Sequence, residues 1–296
     1  MFIWLKRFEF NKTYKPFICK YIGGNMLEEK IVSIYNKEYG IELEKEPEFD
    51  KIFLPKDIAG LLNSFSFSQA ENKFDIYNGS IDKLNDMILN CKKLNNGKKD
   101  FTMLFTKNFM HLELFDSLHE IDKWLSPVLK NLAISEYDVG HELVEQNKPY
   151  ASKFLDRACA NLMRYKNNLD KQGFKDSYIL SVLAGIYLEM NFDLLKNTQI
   201  DITKKIDTLM GKTNLAVGQF YQANYMNEKQ NNNKTDKSQG YFAQRFYNFV
   251  AHAKHELKKT DKGHGYYKIL VRHEHQLFEE IGMPYPQEDK QAIALQ

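Results

Sequence analysis

Cysteine is scarce in this chain of 296 residues: Cys19, Cys91 and Cys159 stand far apart and form no C-x-x-C pair. That excludes a disulfide framework and a zinc knuckle, and it fits a reducing compartment, so the protein is expected in the cytoplasm. Cys91 falls on the apolar side of a predicted helix, where it serves as a small buried hydrophobe. Net charge is nearly absent as well. A formal +2 implies no general attraction to nucleic acid or anionic membrane, so any electrostatic targeting has to be local. Long uninterrupted apolar runs are also missing. The first residues, M-F-I-W-L, meet charge at once, too early for a signal-peptide core. The most apolar stretch, Tyr178 to Leu195, is broken by Ser181, Glu189, Asn191 and Asp193 and reads as a buried core helix.

Apolar residues (43%) and charged residues (27%) are in the proportions of a folded globular protein, and aromatics at 14% are expected to carry much of the packing. The fold class read from pattern is mainly α: a helical C-terminal bundle preceded by a mixed α+β region with a few short strands. Residues 1–25 form a basic-aromatic segment, with Lys6, Arg7, Lys12, Lys15 and Lys20 against Glu9, and its alternating Phe2, Trp4, Phe8 and Phe10 suggest a strand pair closing at Gly23-Gly24. Met26 could also be the natural start. Asn25 with Glu28 caps a first helix that Gly40 stops, and Pro55 suits the first turn of the next.

Within the mixed region, 26–148, K-F-D-I-Y before Asn78-Gly79 reads as a short strand, and Ser80 starts a helix ended by Asn95-Asn96-Gly97. F-T-M-L-F-T and F-M-H-L-E-L, joined by Lys107-Asn108, fit either a hairpin or one helix. Ser117 with Glu120 opens a helix kinked by Pro127. Pro149 marks the boundary to an all-helical bundle, 149–286, interrupted by a polar flexible loop at 228–240 and followed by a tail at 287–296. Gly263-His264-Gly265 splits its last two helices, and Pro284 with Pro286 ends the final one.

The chemistry-bearing residues gather near the C-terminus. Five of the eight histidines lie between His252 and His275, and Arg245 to His275 holds seven Lys/Arg against Glu256, Asp261 and Glu274. On a helix from Tyr241 to Lys259, the stripe Phe242, Phe246, Phe249, Val250, Ala253 and Leu257 faces the core. His252 and His255 fall opposite, as an i, i+3 pair that could ligate zinc or iron but otherwise faces water. His273 and Glu274 lie in or beside the stripe of Leu270, Leu277 and Ile281, so Glu274 must reach water, find a cation or be protonated.

The small-polar strip Ser177, Ser181, Gly185 and Glu189 is the exception on an otherwise apolar helix. It predicts a buried Glu189 paired with Arg157, Arg164 or another cation. The pairs Asp116/His119, Asp138/His141 and Asp261/His264 have the spacing of di-iron ligands, yet none stands securely inside a helix. Gly211-Lys212-Thr213 is not a phosphate loop, because Ile206 occupies the position that needs glycine.

These residues point to a non-enzymatic helical interaction protein. It would hold a protein or polyanionic partner on a basic, histidine-rich surface made of Arg245, Lys254, Lys258, Lys259 and Arg272, with no cofactor. Two alternatives keep other residues in view. One is a metal-dependent helical enzyme with a Glu/His pocket, and the other is a nucleic-acid-binding protein.

Overall fold

The computed structural model describes residues 26–42, 56–68, 70–94, 101–117, 127–148, 150–196, 201–230 and 237–285. They form ten helices, and no strand occurs among them. The protein is mainly α. The chain divides into two compact units, the first ending at Arg157 and the second starting at Ala158.

The first unit contains α1 (Met26–Tyr39), α2 (Lys56–Ser66), α3 (Ala70–Leu94), α4 (Phe101–Ser117), α5 (Pro127–Glu145) and the start of α6 (Ala151–Lys171). Gly40 ends α1 as expected. Its φ of +59° is left-handed, and its N–H closes on Asn36 O at 2.8 Å. The centre of this unit is α4, which packs against α2, α3 and α5. From Met103 to Phe115 every residue is buried except Lys107.

That burial corrects the strand reading of this region. F-T-M-L-F-T and F-M-H-L-E-L alternate only because the helix is apolar on every side, and a helix of that kind contains short stretches with any period one looks for. K-F-D-I-Y likewise lies inside α3, so Ser80 is a buried mid-helix residue and does not start the helix. Pro127 stands at the first position of α5, where its missing N–H costs nothing; residues 118–126 before it lie outside the described residues. The 1–25 segment, Cys19, Pro149, the 118–120 part of the Ser117 box and the 287–296 tail lie outside the described residues, as do Pro55 and Pro286, and so does the side chain of Cys91.

The second unit comprises the rest of α6, then α7 (Ser177–Lys196), α8 (Ile202–Gln230), α9 (Lys237–Leu257) and α10 (Asp261–Glu280). Its centre is α7, packed against α8 and α9, while α10 packs on α9 and α8. By length and composition α7 could cross a membrane; in this structure most of it is buried. Lys205 donates to Leu195 O at 2.6 Å, satisfying one of the carbonyls that the end of α7 leaves open. The polar stretch at 228–240 is shorter as a connection than its composition suggests, since α8 runs to Gln230 and α9 begins at Lys237. Residues 231–236 lie outside the description.

The break between α9 and α10 falls at Lys258–Thr260, not at Gly263-His264-Gly265. Thr260 is the N-cap, with its hydroxyl accepting from Gly263 N at 3.0 Å. Gly263 is needed there for space: a Cβ would sit 2.7 Å from the Leu257 carbonyl carbon and 3.0 Å from its Cα. Gly265 has nothing within 4 Å of the same point. Gly263→Ala should therefore destabilise by about 1–3 kcal/mol through overpacking. Gly265→Ala should instead gain roughly 0.5–1 kcal/mol of helix propensity. Urea unfolding of the two variants checks this, and shifts of the same sign would rule out the packing account.

Candidate functional site

In the second unit the predicted α9 stripe is buried from Phe242 to Leu257. His252 and His255 are both exposed; the His252 ring meets Phe192 edge-on at 5.6 Å. Among the described residues neither histidine joins a group of three His, Cys, Asp or Glu ligands close enough to share an ion.

Glu189 is fully buried, and the cation that meets it is Arg245, not Arg157 or Arg164. Arg245 Nε lies 2.9 Å from Glu189 Oε1, its Nη2 reaches the same oxygen, and the guanidinium lies 5.5 Å from the Phe192 ring centroid. The fork of Arg245 is thus directed inward, away from the solvent surface to which its charge assigned it. Arg164 is exposed.

The structure buries Glu274 completely, and the Tyr285 hydroxyl donates to its Oε2. Tyr285 stacks on His275 with centroids 3.8 Å apart and meets Phe278 and Tyr247 edge-on. The residues after α10 therefore fold back over the helix to reach Glu274. His273 is half-buried, and burial followed by the neighbouring Arg272 lowers its pKa.

The surface of α10 carries both signs, with Asp261, Glu279 and Glu280 exposed as well as the cations. Lys258, Lys259, Lys268 and Arg272 are exposed along the end of α9 and along α10, together with His255 and His264, and Lys254 is half-buried. Lys259 donates to Glu256 at 2.8 Å, and that hydrogen bond holds the Glu256 carboxyl below its usual range. Lys258 lies 4.9 Å from the centroid of Tyr267, which is buried.

The first unit holds buried polar groups that the sequence reading did not single out. Tyr35 OH donates to Asn108 Oδ1 at 2.7 Å, and Asn108 Nδ2 donates to Ser135 Oγ at 3.1 Å. The Tyr39 hydroxyl lies 3.1 Å from Glu136 Oε1 and 3.3 Å from Asn108 Oδ1. Arg157, foreseen as the partner of Glu189, instead donates from Nε to Glu136 Oε1 at 2.7 Å and from Nη1 to Glu38 O at 3.1 Å; its Nη2 pairs with the Glu38 carboxylate. Burial, then Glu136, pushes Tyr35 and Tyr39 well up. Burial also pushes Glu38 up, but Arg157 and Lys37 outweigh it and leave the carboxyl below its usual range. This network ties α1, α4, α5 and α6 together with its charges matched, which is the pattern of a structural core. The signal for it was present: Asn108, His111 and Glu113 interrupt an apolar helix just as Glu189 does.

The chain matches no protein-family model, no curated protein and no solved structure.

Proposed function

We propose that this is a helical, non-enzymatic interaction protein of the cytoplasm that holds an acidic partner protein on the basic face of α9 and α10. One observation carries the reading. The cations Lys258, Lys259, Lys268 and Arg272 face solvent together with His255 and His264, whereas the acids that a catalytic site would use, Glu189 and Glu274, are bound inside by Arg245 and Tyr285. With Arg245 committed to Glu189, the partner-binding set becomes Lys254, Lys258, Lys259 and Arg272, extended by Lys268.

Charge-driven binding weakens as salt rises, because exposed pairs are screened over about 10 Å at 0.1 M. Crosslinking capture from the native host should therefore recover a partner at low salt and lose it above roughly 0.5 M. The triple change Lys258→Glu, Lys268→Glu, Arg272→Glu should abolish capture while leaving the melting temperature nearly unchanged. Undiminished capture by the triple variant would sink the proposal. A salt-dependent complex with RNA or DNA that the same changes remove would replace the protein partner with a nucleic acid.

A further inference from the structure

We propose that Lys30, Lys73 and Ser66 in the first unit bind a small organic oxyanion, a carboxylate or phosphate, with its apolar body against Phe67. The S-F-S-F-S segment at the end of α2 builds the place. Lys30 Nζ, from α1, donates to Ser66 O at 2.7 Å and lies 2.7 Å from Glu113 Oε2. Lys73 Nζ, from α3, lies 3.1 Å from that same oxygen of α4. Among the described residues, two ammonium groups thus crowd a single carboxylate oxygen, which leaves one positive charge in excess there. Each ammonium carries three N–H donors, so six N–H bonds meet three acceptor contacts among the described residues.

The surroundings make that surplus strong. Lys73 is only 7% exposed, and its ammonium lies 5.6 Å from the centroid of the fully buried Phe65. In such a setting charges interact more strongly than in water. The Ser66 hydroxyl is itself buried and has no hydrogen-bond partner among the described residues, although the carbonyl of the same residue holds Lys30. An incoming oxyanion supplies what each group needs. It offers acceptor oxygens to the remaining N–H donors and to the Ser66 hydroxyl, and it neutralises the extra charge. Access is from the Lys30 side, where that side chain is 34% exposed and Phe67 shows half its surface beneath the ammonium, 5.5 Å from it.

The test is isothermal titration and thermal melting of the full chain with phosphate, acetate and benzoate, against chloride at matched ionic strength. Phosphate or benzoate should bind saturably and raise the melting temperature. Lys30→Met should weaken binding at least tenfold, and Ser66→Ala should weaken it severalfold. Phe67→Ala should reduce benzoate affinity while sparing phosphate; the oxyanion that binds with this dependence on Lys30 identifies the ligand class. No response beyond chloride would overturn the site, as would equal affinity in Lys30→Met, since that places the anion elsewhere, on the α9–α10 surface for example. If Lys30→Met does not fold, Ser66→Ala decides: unchanged affinity there rejects the proposal.

Discussion

Arg245→Ala should lower the unfolding free energy by about 3–5 kcal/mol, because the change strands a buried carboxylate without its guanidinium. The Glu189 side chain is 1% exposed and that of Arg245 11%, so neither charge is relieved by water when the other leaves. Glu189→Gln should also destabilise, though less, since a neutral amide loses the charge-assisted bond but not its own solvation. The pair matters by being complete. Replacing both members with apolar residues of similar size, Glu189→Leu with Arg245→Met, should recover most of the stability or exceed it. Equilibrium urea unfolding of the two single variants and the double variant closes the cycle. A cost under about 1 kcal/mol for Arg245→Ala would reduce the pair to an exposed bridge and return Arg245 to the partner-binding surface.

The partner of Glu189 shows where sequence reading stops. That Glu189 needs a cation follows from its place on a helix apolar all round, and that requirement is visible in the chain. Which cation answers depends on how α7 and α9 are laid side by side, 56 residues apart in sequence. Arg245 sits at the rim of the α9 stripe, next to Phe242 and Phe249 on the wheel. Its long side chain can reach either water or core from there, and its lysine neighbours made the surface look like its place. The same rule of an apolar helix with isolated polar residues places α7 at the centre of the second unit, and it holds equally for α4 in the first. There the six-residue pieces on either side of Lys107-Asn108 alternated well enough to resemble strands. Periodicity over six residues cannot separate a fully buried helix from a strand; length can, and α4 runs unbroken for 17 residues. The break before α10 was misplaced for a related reason. Gly263-His264-Gly265 looks like a break because glycine is a poor helix former, whereas Gly263 lies inside α10 and is required by the nearness of the Leu257 backbone.

His111 should make the protein lose stability as pH falls from about 6.5 toward 3, by roughly 1.4 kcal/mol per unit and on the order of 4–5 kcal/mol across that window. The imidazole is wholly buried on α4. Burial, then the nearby Lys107, drives its pKa from 6.5 down to about 3. The hydrogen bonds explain why a second proton is unwelcome. Nδ1 meets the Tyr77 hydroxyl at 3.2 Å, Tyr77 accepts from Asn131 Nδ2, and Nε2 is buried with no hydrogen-bond partner among the described residues. Whichever tautomer is protonated, the imidazolium carries a buried Nε2–H with no acceptor among the described residues.

Above pH 6.5 both folded and unfolded chains carry neutral His111, and its contribution to stability is fully present. Below it the unfolded chain takes the proton while the folded one refuses until about pH 3, so the unfolded state gains. Carboxylates that protonate in acid, and His273 with its own lowered pKa, act in the same general range, so the decisive quantity is a difference. Urea midpoints of wild type and His111→Gln should be compared between pH 6.5 and 5, above most carboxylate titration. The variant keeps a polar group for Tyr77 but has nothing to titrate there, so its stability should fall less steeply by about 1–1.4 kcal/mol per pH unit. Parallel slopes for the two proteins would mean that His111 takes up its proton in the folded state as readily as in the unfolded one.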